Sequence, residues 1–307
     1  MSRIHEALKR AEREKGKAPA RETVAPQGGA APAGPQSNVA AAAAPAPATA
    51  APAPAAAAVP IAAVAQPAVP VATPQPAAPS VLDSCRRAHW NEDRAKLFFL
   101  SGKGLSFGSE QLRTLRSRLY QMRETRPLKS VLVTSAMPGE GKTFICANLA
   151  YAFARHTDRR VLLLDADLRS PCLHTLLGAP AEPGLTSYLS GQAGLQQILQ
   201  RGPHENLFLI SGGKATPDPA ELLATGKLKN LLAQLAPHFD WILLDSPAAA
   251  PVSDALEIAG WCDGVLLVVQ GGKTPYDLAQ GVTREFREKH LLGVVLNRTE
   301  PSLAAAN

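Results

Sequence analysis

No charged residue occurs between Glu22 and Asp83. The stretch is built mainly of Ala, Pro, Val, Gln, Gly, Ser and Thr. It has too few large apolar side chains to offset the entropy of ordering a chain, which predicts a disordered linker over residues 17–82. Lack of charge does not make it a membrane span. Its longest proline-free run is residues 36–44, whereas a spanning helix needs roughly 20 apolar residues in sequence. Cysteine is scarce as well. Cys85, Cys146, Cys172 and Cys262 are far apart and form no CxxC pair, which excludes a thiolate zinc site and a disulfide framework. The seven histidines show no metal-ligand spacing. The start, MSRIHEALKRAEREKG, has no apolar h-region, so it does not read as a signal peptide. A cytoplasmic location is expected.

An excess of positive charge is missing from the larger part of the chain. Residues 1–22 hold seven basic and four acidic side chains, and residues 83–128 hold ten and five. Residues 129–307 hold fifteen basic and seventeen acidic. The basic excess therefore lies outside the region that carries the motifs below, and no nucleic-acid partner is expected for that region.

What remains is a short N-terminal segment and a domain over residues 83–303. Residues 1–16 place Ile4, Ala7, Leu8 and Ala11 at helical spacing among charges, which predicts a short amphipathic helix with one narrow apolar stripe. In the domain, AKLFFL (95–100) reads as a short strand. SEQLRTLRSRLYQM (109–122) reads as a helix with Leu112, Leu115 and Leu119 on one face. Apolar runs then alternate with helical stretches: SVLVT, VLLLD, LFLI, WILLD, GVLLVV and LLGVVLN. Continuous apolar strands between helices predict an α/β fold, a mostly parallel sheet with helices on both faces.

The first of these runs ends in AMPGEGKT, Ala136 to Thr143, followed by the helical stretch FICANLAYAFARH. This is the P-loop template with Ala136 in place of the first glycine. Gly139 and Gly141 let backbone N–H groups curl around a phosphate, and the helix start adds its positive end. Lys142 supplies a point charge to the β- and γ-phosphates, and the Thr143 hydroxyl suits Mg²⁺. VLLLDADLR gives Asp165, Asp167 and Arg169 after the second run, at the strand end where parallel sheets bind ligands. Two carboxylates there can organise Mg²⁺ or take a proton from an attacking hydroxyl. WILLDSP places Asp245 after four apolar residues, the Walker B form. ATP and Mg²⁺ are the expected ligands.

Together AMPGEGKT, VLLLDADLR and ILLDSP resemble the bacterial tyrosine kinases of exopolysaccharide synthesis, the CpsD/CapB-like group. PDPAELL (217–223) resembles that family's NP-x-ELL segment, with Asp218 where Asn is usual. DGVLLVV and LGVVLN match its last strands, and Glu110, Arg113 and Arg116 form its E-x-x-R-x-x-R pattern. The similarity covers about residues 108–298, and the start MSRIHEAL resembles that of members encoded with polysaccharide-export loci.

The resemblance implies a P-loop fold of the MinD and BY-kinase type. Pro138, Gly139, Glu140, Gly141, Lys142, Thr143 and Phe144 would bind the nucleotide, with Asn297 near the base. Lys142, Asp165 and Asp167 would be catalytic, and Thr143, Asp167 and Asp245 would hold the metal. It further implies a ring-like homo-oligomer contact through Glu110, Arg113 and Arg116. It also implies an activating membrane chain-length regulator that recruits the chain to the inner face of the membrane. Two features depart from the family or bear on rivals. The tail RTEPSLAAAN has no tyrosine, while family kinases carry a C-terminal tyrosine cluster. A non-catalytic ATP-binding regulator is therefore an alternative reading. A MinD/ParA-like positioning ATPase is another, but Met137 stands where that group has its signature lysine.

Overall fold

The computed structural model describes residues 82, 84–100, 106–250 and 253–299. The chain divides into two units, residues 1–77 and 78–307, and the described residues lie in the second. The expected helix over 1–16, and the linker up to residue 81, lie outside the described residues. Leu82, at the linker's end, is buried.

Among the described residues the strands are β1 (Arg86–Arg87), β2 (Ser130–Ser135), β3 (Val161–Asp165), β4 (Leu199–Arg201), β5 (Leu207–Ile210), β6 (Trp241–Asp245), β7 (Gly264–Gln270) and β8 (Leu291–Asn297). They form one sheet in the order β1-β4-β5-β3-β6-β2-β7-β8. Every pair is parallel except β4 with β5. The six apolar runs became the six strands from β5 to β8 along this order. The helices are α1 (Phe107–Thr125), α2 (Lys142–Ala154), α3 (Leu173–Leu177), α4 (Leu185–Leu189), α5 (Leu195–Ile198), α6 (Pro219–Ala224), α7 (Lys227–Leu235), α8 (Asp254–Ala259) and α9 (Tyr276–Arg287).

Successive side chains along a strand point to opposite faces, and here they feed two separate cores. Leu132, Leu162, Leu164, Ile242, Leu244, Val265 and Leu267 pack into one, with Leu228, Leu231 and Leu235 of α7, Ile258 of α8 and Phe286 of α9. Val131, Val133, Leu163, Trp241, Leu243 and Val268 pack into the other, with α1, α2 and the lead-in segment. That division is why the strands read as unbroken apolar runs: both faces are dry.

α2 is apolar all round because it is covered all round. Its inner side lies on the sheet, and its outer side meets α1 and residues 90–100. The AKLFFL segment is not a strand. It is a run of turns. Asp93 accepts the Ala95 N–H, and Asn148 of α2 accepts the Phe98 N–H at 2.9 Å while donating to the Lys96 carbonyl at 3.0 Å. A helical amide thus takes the backbone groups that a neighbouring strand would otherwise satisfy, and Leu97 is buried beneath them.

Asn148 is itself fully buried and also donates to the Phe144 carbonyl. Asn148→Ala strands an N–H and a carbonyl away from water, which costs about 1–3 kcal/mol. Chemical denaturation is expected to show that loss. An unchanged midpoint would mean the lead-in is not held through this side chain.

Candidate active site

The sheet order puts three motif-bearing strand ends side by side. β6 lies between β3 and β2, and Asp165 and Asp245 are register partners. The P-loop leaves β2, Asp167 leaves β3, and Asp245 closes β6, all at the C-terminal edge where a parallel sheet binds ligands.

In the P-loop, Gly139 (φ 82°) and Gly141 (φ 96°) occupy the left-handed region that favours glycine. A Cβ at Gly141 would also run into the Asn297 amide. Ala136 does not have a positive φ, and it is fully buried. The first glycine of the template is therefore dispensable here.

Lys142 begins α2 and is only 9% exposed. Its ammonium lies 2.9 Å from Asp167 Oδ2 and 3.4 Å from Asp245 Oδ1. Thr143 donates its hydroxyl to Asp245 Oδ2 at 2.5 Å. Burial works against the Lys142 charge, but Asp245 and Asp167 hold its pKa above the ordinary lysine value. Burial pushes Asp245 up to about 6, against the pull of Lys142 and Thr143. Burial, then the charge of Asp245, push Asp165 up to about 8. Three carboxylates and one ammonium form a site short of positive charge.

Asp165 and Asp167 have separate tasks. Asp165 is fully buried. Its oxygens accept the N–H groups of Asp167 (3.2 Å), Cys172 (3.0 Å) and Leu173 (3.0 Å). It fixes the turn into α3. Asp167 reaches Lys142 with one oxygen and accepts the Ser170 N–H with the other. Arg169 is turned away, paired with Asp254 at 2.7 and 3.2 Å and donating to the Pro217 carbonyl.

A match to the CobQ/CobB/MinD/ParA nucleotide binding domain spans residues 131–307. Tyrosine-protein kinase YwqD of Bacillus subtilis (strain 168) is 37% identical over 194 residues, 62% of this chain and 81% of YwqD. The chain belongs to the bacterial tyrosine kinases. Tyrosine-protein kinase ptk of Acinetobacter johnsonii is 32% identical over 197 residues, 64% of this chain but 27% of that longer protein. Among solved structures, the chimerical protein CapA2B2 aligns with a TM-score of 0.63 at 28% identity, over 70% of this chain and 95% of that one.

Within this kinase fold the expected ligand residues divide into two groups. Pro138, Gly139, Gly141, Lys142, Thr143, Asp167 and Asp245 come together at one edge. Glu140, Phe144 and Asn297 have their side-chain contacts inside the chain. The Glu140 carboxylate is buried. It accepts the N–H groups of Met137 (2.7 Å) and Gln270 (3.2 Å) and the Thr274 hydroxyl. Asn297 donates to the Glu140 carbonyl at 2.8 Å, so it braces the loop. Phe144 meets Phe98 edge-on, with ring centroids 5.2 Å apart.

Two neighbours went unnoticed in the sequence. Cys172 Sγ lies 3.4 Å from the Thr143 hydroxyl, and Asp254 anchors Arg169. Cys172 stands three residues past Arg169 and Asp254 seven past Pro247, but neither lies in a pattern that would single it out.

The oxygens of Thr143, Asp167 and Asp245 form a donor set that fits Mg²⁺, a hard cation usually bound by one or two carboxylates plus phosphate oxygens and water. Among the described residues no group of three or more His, Cys, Asp or Glu side chains could hold a metal unaided.

Glu140→Ala removes the acceptor of the Met137 N–H and of the Thr274 hydroxyl, while the Gln270 N–H keeps Thr274 Oγ1, and it loosens the loop without touching Lys142. A fall in nucleotide affinity of about tenfold is expected, equivalent to about 1.4 kcal/mol. Calorimetry measures it, with circular dichroism as the folding control. Wild-type affinity in the folded variant would mean that Glu140 does not shape the loop.

Proposed function

We propose that the chain binds ATP with Mg²⁺ and transfers the γ-phosphoryl group to protein tyrosine, in the regulation of exopolysaccharide synthesis or export. The observation that carries this is Lys142 held between Asp167 and Asp245, with Thr143 on Asp245. The membership in the tyrosine kinases supports tyrosine as the acceptor.

In this reading the P-loop N–H groups receive the phosphates, and the Lys142 ammonium leaves its carboxylates for the β- and γ-phosphate oxygens. That move frees Asp167 and Asp245. Thr143, Asp167 and Asp245 would hold Mg²⁺, which when bound would supply charge to offset that building on the transferring phosphoryl group. Asp167 is the carboxylate placed to take the acceptor's phenolic proton. Asp165 is fully buried and engaged with three N–H groups, so it serves as a positioning residue for Asp167 and the α3 turn.

No helix among the described residues is long and apolar enough to cross a membrane. Polysaccharide synthesis takes place at the membrane, so the reading includes recruitment by a membrane chain-length regulator whose cytoplasmic tail stimulates turnover. The direct test is incubation with labelled ATP and Mg²⁺, with and without that tail, followed by phosphotyrosine mapping. Lys142→Met is expected to lose nucleotide binding while remaining folded. Transfer that persists in that variant would sink the assignment, and full activity without the tail would sink the activator.

The reading also includes assembly through α1. In the single chain Glu110 and Arg113 pair at 2.8 Å, and Arg116 donates to the Ala152 carbonyl of α2 at 2.8 Å. The Glu110–Arg113 pair is partly exposed, so its worth within the helix is small, about 0.3–0.5 kcal/mol. Exchange for a bidentate partner on a neighbouring copy is then inexpensive, and a head-to-tail contact can close into a ring. Light scattering with ATP and Mg²⁺ present is expected to show assembly of the wild type and its loss in Arg113→Ala/Arg116→Ala. Equal assembly of both would place the contact elsewhere.

A further inference from the structure

The edge of the sheet opposite the nucleotide site carries a groove of about 580 Å³. It lies where three adjacent strands, β6, β2 and β7, begin. Its floor is Lys129 and Ser130 at the entry to β2, Ile242 of β6, and Asp263 just before β7. Its walls are the end of α1, one side of α7 and the turn after α8. The P-loop leaves the far end of β2, about 20 Å away at about 3.3 Å per residue. No side chain of the three nucleotide motifs lines the groove.

Two kinds of surface meet there. Pro127, Leu232, Ala236 and the half-buried Trp261 are apolar. Arg123, Lys129 and Lys229 stand around them with positive charge. Lys129 Nζ donates to the Ala236 carbonyl at 2.9 Å, and Arg123 donates to the Asp240 carbonyl at 3.0 Å. Lys229 is exposed on α7. Among the described residues none of the three pairs with a carboxylate. The carboxylate in the groove is already engaged. Asp263 Oδ2 accepts the N–H groups of Lys129 (2.9 Å) and Ser130 (2.8 Å) and the Ser130 hydroxyl (2.9 Å). It fastens the start of β2 to the start of β7 and leaves the rim with a surplus of positive charge. Such a surplus attracts an anion. Apolar walls with an indole among them favour an occupant that also has an apolar body. The volume falls in the range of about 300–1,000 Å³ that suits a small molecule.

We propose that this groove is a second ligand site, for a small amphipathic anion. The occupant has an aromatic or aliphatic body, seated between Trp261 and α7. It carries a carboxylate, sulfonate or phosphate that the cations of the rim receive. Lys129 and Arg123 exchange neutral carbonyls for an anion there, and a hydrogen bond between two charged groups is roughly twice as strong as one between neutral groups. Lys229 has no protein partner to give up. The site takes no part in phosphoryl transfer, so it does not depend on which group the kinase modifies.

The probe is anilinonaphthalene sulfonate, an aromatic anion whose emission rises in apolar surroundings. It is titrated into the full chain with ATP and Mg²⁺ at saturating concentration, so that the nucleotide site is closed to it. One saturable site is expected. Lys229→Glu reverses a charge at the rim, and Ala233→Trp fills the groove from α7. Each is expected to weaken the probe about tenfold or more, with nucleotide affinity and circular dichroism unchanged. Phenylnaphthylamine, the same ring system without the sulfonate, is expected to bind more weakly than the anion. Saturable binding that neither variant weakens would place the probe elsewhere and overturn the proposal. Equal affinity for the uncharged analogue would overturn it too, by showing that the cations recognise nothing. So would the absence of any saturable binding.

Discussion

The ammonium of Lys142, lodged between two carboxylates at the sheet edge, is the interaction on which the rest of the site depends. A buried charge is tolerated only when it is paired. Here the pairing recruits all three motifs: Lys142 from the P-loop, Asp167 from the end of β3 and Asp245 from the end of β6. The parallel order β3-β6-β2 brings those ends together. The two-faced core exists to hold that order. Without a ligand the cluster is satisfied by its own members, and nucleotide has to offer Lys142 something better than Asp167.

Around the cluster lies a set of polar contacts made within the chain. Glu140 binds the P-loop to the start of the β7–α9 connection. Asp165 fixes the turn after β3. Arg169 and Asp254 tie that turn to α8. Each element that presents a functional side chain is thereby fastened to another element that does not. Such bracing lets a lysine, a threonine and two aspartates from distant parts of the chain keep their contacts.

Much of this was legible in the sequence, for identifiable reasons. Unbroken apolar runs such as VLLLD and WILLD announce strands buried on both faces, and the structure has them at the same residues. GKT after a strand announces the phosphate loop. Ala136 obscured nothing, because its position never needed a glycine's freedom. AKLFFL was misread as a strand because its apolar residues pack inward, Leu97 fully and Phe98, Phe99 and Leu100 partly, but they do so from turns held by Asn148, a side chain about 50 residues away. Likewise Glu140 and Asn297 bear the right motif positions, yet their partners, Thr274 and the Glu140 carbonyl, are set by tertiary contact. β1 and β4 are too short to carry any periodicity. Long-range side-chain to backbone bonds leave no local trace, and they account for most of what the sequence concealed.

β8 is the outermost strand on its side of the sheet, paired with β7 alone, and Leu296 near its end is 50% exposed. Strands at a margin like this are often treated as dispensable trimming. This one ends in Asn297, whose amide supports the phosphate loop. A chain cut short before residue 297 would keep every residue of the three nucleotide motifs and lose the strut that braces them. Truncations that remove residue 297 therefore act on the phosphate loop itself.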